Sequence, residues 1–117
     1  MIGVDILEVS RLKKALLNEV FVKRILTQQE IEYVKKYKDC DSHITGFFCA
    51  KEAVMKALED CHDISFKEIE ILHKQTGKPY VKLYGKAQKI FDEKGYSKLE
   101  ISISQTNTIA IAFCQIS

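Results

Sequence analysis

The chain has no tryptophan, one proline and five glycines in 117 residues. So few breakers fit the absence of any linker, internal repeat or low-complexity tract. Charge of one sign is also scarce, since 18 basic and 16 acidic residues leave a net charge of +2. A dedicated nucleic-acid binder carries a strong basic excess, so that class is set aside. The opening Met1-Ile2-Gly3-Val4-Asp5 has no basic region followed by a long apolar run, which argues against a signal peptide and a membrane span. The four cysteines, Cys40, Cys49, Cys61 and Cys114, form no C-x-x-C pair. They are expected to be free thiols in a reducing cytoplasm. The Cys40–His43 spacing and the Cys61–His62 pair fall short of a four-ligand zinc pattern. Walker and G-x-G-x-x-G loops are both missing. His43, His62 and His73 share no spacing and have no recognisable nucleophile partner.

What remains is 46% apolar and 29% charged, the composition of a soluble globular protein. The length suits one domain over residues 1–117 with a modest core, which assembly into an oligomer would help. Five basic residues, Arg11, Lys13, Lys14, Lys23 and Arg24, stand against one acid, Glu19. Such a face suits an acidic partner, although a solvated helix surface would read the same way.

The periodicity predicts a strand over 2–9 and a short helix to about Asn18, with Ser10 as its N-cap. Thr27-Gln28-Gln29-Glu30 forms a capping box for a helix over about 28–37, with Leu26 and Ile31 as the staple. Asp41 or Ser42 is expected to cap a helix that ends near Glu59 or Asp60. The period then becomes two. Strands are predicted over 66–72 and 79–84 around the turn Gln75-Thr76-Gly77-Lys78. A helix follows over 86–94, with Gly95 at its end. A hairpin of strands 99–104 and 108–115 closes the pattern. This order predicts an α+β fold, with helices packed on one face of a mainly antiparallel sheet.

One helix position is out of place. Apolar residues at Ile44, Phe47, Phe48, Val54, Met55 and Leu58 make a stripe, and Lys51 lies inside it. Glu52 flanks the stripe and Lys56 follows. Charges at a core edge are costly without a charged partner, so a partner is expected. Lys51 could instead snorkel to solvent. Asp5 is similarly awkward in an apolar strand, where it either caps a backbone amide or binds a hard cation. Magnesium takes one or two protein carboxylates plus water and phosphate oxygens. Asp5 and Glu52 would form such a pair if strand and helix meet. Lys51 and Lys56 would then present positive charge to the same phosphates, as a phosphoryl-transfer site requires. Gly77-Lys78-Pro79 reads as a tight turn with a solvated lysine. Gln105-Thr106-Asn107-Thr108 is a polar loop that either only turns or also holds part of a ligand.

These residues resemble a known family. Gly3-Val4-Asp5-Ile6-Leu7-Glu8-Val9-Ser10-Arg11 is similar to the opening of the holo-acyl-carrier-protein synthases. Arg24-Ile25-Leu26-Thr27-Gln28-Gln29-Glu30 is similar to their Arg-x-Leu-Thr-x-x-Glu. Phe48 to Leu58 resembles their Phe-Ala-Ala-Lys-Glu-Ala-x-x-Lys-Ala signature, and Gly77-Lys78-Pro79 and the Ser102–Ala112 hairpin match in order. The resemblance implies a 4′-phosphopantetheinyl transferase that moves the phosphopantetheine arm of coenzyme A onto a serine of apo acyl carrier protein. It implies release of 3′,5′-ADP, use of magnesium, a role in fatty acid biosynthesis, and homotrimers with sites between subunits. Asp5 and Glu52 would bind the metal and, with Lys56, carry the catalysis. Lys51, Lys56, Lys78, Pro79, Ser104, Gln105 and Thr106 would contact coenzyme A, and Arg11 and Arg24 the carrier protein. Four features depart from the pattern, the first being that only Gly3 remains of a Gly-x-Gly before Asp5. Phe47 replaces an arginine, 59–63 replaces a glycine-rich loop, and Gln105 replaces a histidine and cannot act as a base. A non-catalytic module that binds coenzyme A or carrier protein is the alternative.

Overall fold

The two ends of the chain meet in one sheet. The computed structural model describes residues 1–60 and 62–117. Strand β1 (Ile2–Glu8) pairs antiparallel with β5 (Ile109–Ile116), with Ile2 opposite Gln115, Val4 opposite Phe113 and Ile6 opposite Ile111. Strand β4 (Leu99–Gln105) pairs with the other edge of β5, giving the order β1-β5-β4. The middle hairpin, β2 (Ile69–His73) and β3 (Pro79–Leu83), forms a second, two-stranded sheet. All pairings are antiparallel, and the expected α+β class holds.

Between β1 and β2 lie four helices: α1 (Ser10–Lys13), α2 (Glu19–Ile25), α3 (Gln28–Val34) and the long α4 (Cys40–Leu58). Helix α5 (Gly85–Glu93) joins β3 to β4. Ser10 is not the expected cap: α1 has no side-chain cap at all, and the chain goes on through a 3-10 turn over 15–17. Asn18, read from sequence as a helix end, is the N-cap of α2 and accepts from the Val20 and Phe21 amides. The α3 capping box forms as expected, with Glu30 N–H donating to Thr27 Oγ1 and Thr27 N–H to Glu30 Oε1. Helix α4 starts earlier than expected. Asp39 is its cap, because its carboxylate reaches the Ser42 amide. Its C-cap is Glu59, a non-glycine residue in the left-handed region at φ 59°. The strand expected from Phe66 begins only at Ile69, because 66–68 winds into a 3-10 turn. Gly95, with φ 76°, follows α5 as expected.

Small residues let α4 lie flush on the three-stranded sheet. Ala50, Ala53 and Ala57 of α4 are buried, as are Ala110, Ala112 and Cys114 of β5. On β1 the contact leaves no room for a side chain, since a Cβ at Gly3 would stand 2.0 Å from the Ala53 carbonyl oxygen. Apart from Leu7 and Ile116, the large residues of the same strands therefore face outward. Ile2, Val4, Ile6, Ile109, Ile111 and Phe113 are exposed, from 37% at Ile109 to 65% at Ile2. Among the described residues no helix is long and apolar enough to cross a membrane.

Candidate active site

The flush seam brings Asp5 of β1 to one flank of α4. Lys56 Nζ lies 3.2 Å from Asp5 Oδ1 and donates to the Val4 carbonyl at 2.9 Å. The pair is partly open to water, so by itself it adds less than about 1 kcal/mol of stability. Its value is positional. Glu52, half-buried on the same flank, has its carboxyl pushed above the ordinary range, first by burial and then by the negative charge of Asp5, with Lys56 opposing. Burial, then Asp5 and Glu52, raises the Cys49 thiol to about 12, so it stays protonated beside the carboxylates. Sequence reasoning did not place Cys49 here. Its position one turn before Glu52 on the helix was the available signal.

Asp5 and Glu52 are the groups that could hold a metal. Both are hard oxygen donors, and their mutual repulsion is the electrostatic state that a divalent cation relieves. Among the described residues no group of three or more histidine, cysteine, aspartate or glutamate side chains is arranged to hold a metal ion by itself. A cation at this pair would depend on water or substrate oxygens for the rest of its shell, which is magnesium's habit.

Lys51 corrects the expectation of a phosphate contact and of snorkelling. The stripe reading was sound, and Lys51 is wholly buried, but an internal partner meets it. Its ammonium donates to Glu30 Oε1 at 2.7 Å, to the Ile25 carbonyl at 2.7 Å and to the Phe66 carbonyl at 3.1 Å. Burial pulls its pKa down and the Glu30 carboxylate opposes that pull. Removing one member of such a pair costs about 3–5 kcal/mol, because the other charge stays buried alone.

The remaining expected contacts gather at the other end of α4. Pro79 and Gln105 line a pocket of about 180 Å³ with Tyr33, His43, Phe47, His73, Gly77 and Ile103. Gln105 Nε2 lies 3.3 Å from His43 Nδ1, and Gly46 leaves room for it, since a Cβ there would stand 3.1 Å from Gln105 Oε1. His73 stacks on Tyr33 with ring centroids 3.9 Å apart. Lys78 lines a neighbouring hollow with Lys74 and Lys98. Ser104 is exposed at the end of β4, and Thr106 Oγ1 accepts from the Thr108 and Ile109 amides in the β4–β5 turn. Within one chain, none of these residues contacts Asp5, Glu52 or Lys56 through a hydrogen bond or ion pair among the described residues. Arg11 on α1 and Arg24 on α2 are exposed, and neither has a carboxylate partner among the described residues. Cys61, in the acidic segment after α4, lies outside the described residues.

The model of the 4′-phosphopantetheinyl transferase superfamily matches residues 1–114. The chain belongs to that superfamily. A holo-[acyl-carrier-protein] synthase of Thermoanaerobacter sp. (strain X514) is 46% identical over 113 residues, covering 95% of this chain and 82% of the relative. That of Clostridium botulinum (strain Eklund 17B / Type B) is 46% identical over 117 residues, covering 98% and 94%. The crystal structure of Helicobacter pylori holo-[acyl-carrier-protein] synthase in complex with coenzyme A superimposes with a TM-score of 0.87 at 32% identity, covering 100% of both chains. The Bacillus anthracis synthase in complex with CoA (3′,5′-ADP) does so with a TM-score of 0.80 at 30% identity, covering 98% and 93%. As a member of this superfamily the protein is an enzyme, a phosphopantetheinyl transferase, and not a non-catalytic module.

Proposed function

We propose that this transferase moves the 4′-phosphopantetheine arm of coenzyme A onto a serine of an apo acyl carrier protein, with magnesium at Asp5 and Glu52. The observation that carries this reading is the meeting of Asp5, Glu52 and Lys56 where β1 lies flush on α4. Magnesium held there would screen the negative charge of the diphosphate. The chain's own groups do the rest. Lys56 presents an ammonium already fixed by Asp5 and the Val4 carbonyl, so it can take a phosphate oxygen with little reorganisation. The serine oxygen forms a bond to the phosphorus that bears the pantetheine. The bond from that phosphorus to the bridging oxygen breaks, and 3′,5′-ADP leaves with that oxygen. The serine proton passes to a carboxylate of the cluster or to a water ordered beside it.

The exposed basic residues Arg11 and Arg24, with Lys13, Lys14 and Lys23, suit docking of an acidic carrier protein. Lys78, Pro79, Ser104, Gln105 and Thr106 form the second half of the coenzyme A site. The pocket lined by Pro79 and Gln105, about 180 Å³, is small beside the ~300–1,000 Å³ of sites for drug-sized ligands. A homotrimer, assembled through the outward apolar face of β1 and β5, would bring one subunit's Pro79–Gln105 region against another's carboxylates. In this reading the enzyme works in the cytoplasm and serves fatty acid biosynthesis. Mixing purified apo carrier protein, coenzyme A, magnesium and this protein should add the phosphopantetheine mass to the carrier. No mass gain, while a known transferase modifies the same carrier sample, rejects the proposal.

A further inference from the structure

We infer that Lys51 is a positioning residue that ties the basic helix α2 to the catalytic helix α4. The inference rests on the transfer reading above and gives Lys51 a place in it away from substrate. An ammonium has three hydrogens to donate, and each has an acceptor here. Ile25 O accepts at 2.7 Å, Glu30 Oε1 at 2.7 Å and Phe66 O at 3.1 Å. Ile25 is the last residue of α2. Its carbonyl is one of the orphan acceptors at a helix end, where a positive charge also opposes the helix dipole. Arg24, one residue back, is exposed with Lys23 on the face suited to an acidic carrier. On α4, the residue after Lys51 is Glu52, and Lys56 follows on the flank that meets Asp5. One buried side chain thus runs from the carbonyl beside the docking arginine to the helix that carries the reacting charges.

Glu30 locks the far side of this junction. Its Oε1 also accepts from the Thr27 amide at 2.8 Å, and its Oε2 accepts from the Ile71 amide at 2.7 Å. Lys51 and Glu30 are both wholly buried, so neither can turn to water. Without the ammonium, the Ile25 and Phe66 carbonyls lose this donor and Glu30 Oε1 keeps only the Thr27 amide. The end of α2 must then open toward water, and Arg24 shifts relative to Asp5, Glu52 and Lys56.

Lys51→Met tests this. Three quantities are measured: steady-state transfer with varied apo carrier protein, coenzyme A affinity by calorimetry, and hydrogen exchange of the α2 amides. The KM for the carrier is expected to rise about tenfold with a fall in kcat. Coenzyme A affinity should stay unchanged, and the amides near Ile25 should lose protection. Weakened coenzyme A binding with an unchanged carrier KM makes Lys51 a phosphate ligand and overturns the inference. A lower melting temperature with unchanged KM, affinity and α2 protection makes the ion pair merely structural and overturns it too. Should Lys51→Met not fold, Lys51→Met/Glu30→Gln leaves neither charge stranded and takes the same measurements. The exchange readout is independent of turnover. A wild-type protein that modifies no carrier defeats the transfer reading, while α2 protection still decides the role of Lys51.

Discussion

Replacing Gly3 with alanine exchanges a hydrogen for a methyl group where β1 lies flush on α4. That carbon would lie 2.0 Å from the Ala53 carbonyl oxygen and 2.9 Å from the Ala57 amide nitrogen. A relaxed carbon–oxygen contact is about 3.4 Å, so β1 and α4 would have to part by roughly 1.4 Å. Both obstacles are helix backbone, so no side-chain rotation can relieve them. Overpacking costs about 1–3 kcal/mol, and a rigid backbone obstacle puts this site at the upper end. For a chain of 117 residues, about 3 kcal/mol corresponds to a melting temperature lower by about 12 °C. The catalytic effect should be larger than the stability effect. Asp5 is on the displaced strand while Glu52 and Lys56 stay with the helix, and a misplacement of about 1 Å costs on the order of 100-fold in rate. Thermal unfolding by circular dichroism and carrier modification by mass spectrometry, at a temperature where the variant is folded, measure the two effects separately. If Gly3→Ala melts within about 2 °C of the parent and turns over at the parental rate, the flush seam does not position the site.

Asp5→Ala and Glu52→Ala should each lower transfer by at least about 100-fold while the melting temperature holds, because both carboxylates sit at the open flank of α4; full activity in both variants removes the metal assignment. Glu59→Gly should stabilise by about 0.5–1 kcal/mol, seen as a higher melting temperature, since glycine accepts the left-handed conformation at φ 59° without a Cβ penalty. Phe113→Asp places a charge opposite Val4 on the outward sheet face, where Phe113 is 42% exposed. The isolated chain should tolerate it, but light scattering should report a smaller assembly than for the parent. His73 is held below its ordinary value of 6.5, first by burial and then by the charges of His43 and Lys36. Its unfolded form therefore binds the proton more tightly. The stability it contributes is complete above pH 6.5 and is lost as pH falls through that value and below, by no more than about 1.4 kcal/mol per pH unit. The drop in melting temperature between pH 7.5 and 5.5 should be smaller in His73→Gln, and an equal drop would count against the assignment.

Local rules read well from sequence here and distant partners do not. The Thr27–Glu30 capping box is a four-residue signal, and it formed. Nothing in those four residues shows that Glu30 also meets Lys51, 21 positions later, and the Ile71 amide, 41 positions later. The misfit of Lys51 in its stripe was legible, but the identity of what meets it was not, and a ligand was expected in place of a buried carboxylate. Asn18 reads from sequence as the end of one helix, whereas its side chain starts the next, so α2 is not legible there. Alternation in β1 and β5 shows the period of the strands without showing which face is inside. Here the usual preference is reversed along most of both strands, because small residues such as Gly3, Ala110 and Ala112 are what fit beneath α4. Asp5 and Glu52 draw notice in the sequence by their awkwardness, whereas Cys49, a small and ordinary core residue by type, gives no such signal.

The pairing of β1 with β5 has a consequence for synthesis. Asp5 precedes its register partner Ala112 by 107 positions, yet its own position depends on that partner's strand, β5. Met1 is tied to the same strand, its amino group donating to the Ile116 carbonyl at 2.8 Å. Contacts that close so long a loop form late and slowly. A nascent chain lacking the residues of β5 therefore has its catalytic helix but no fixed carboxylate beside it. The Asp5–Glu52 pairing is withheld from the growing polypeptide until β5 is in place, and meanwhile the apolar outer face of β1 is open to nascent neighbours of the same kind.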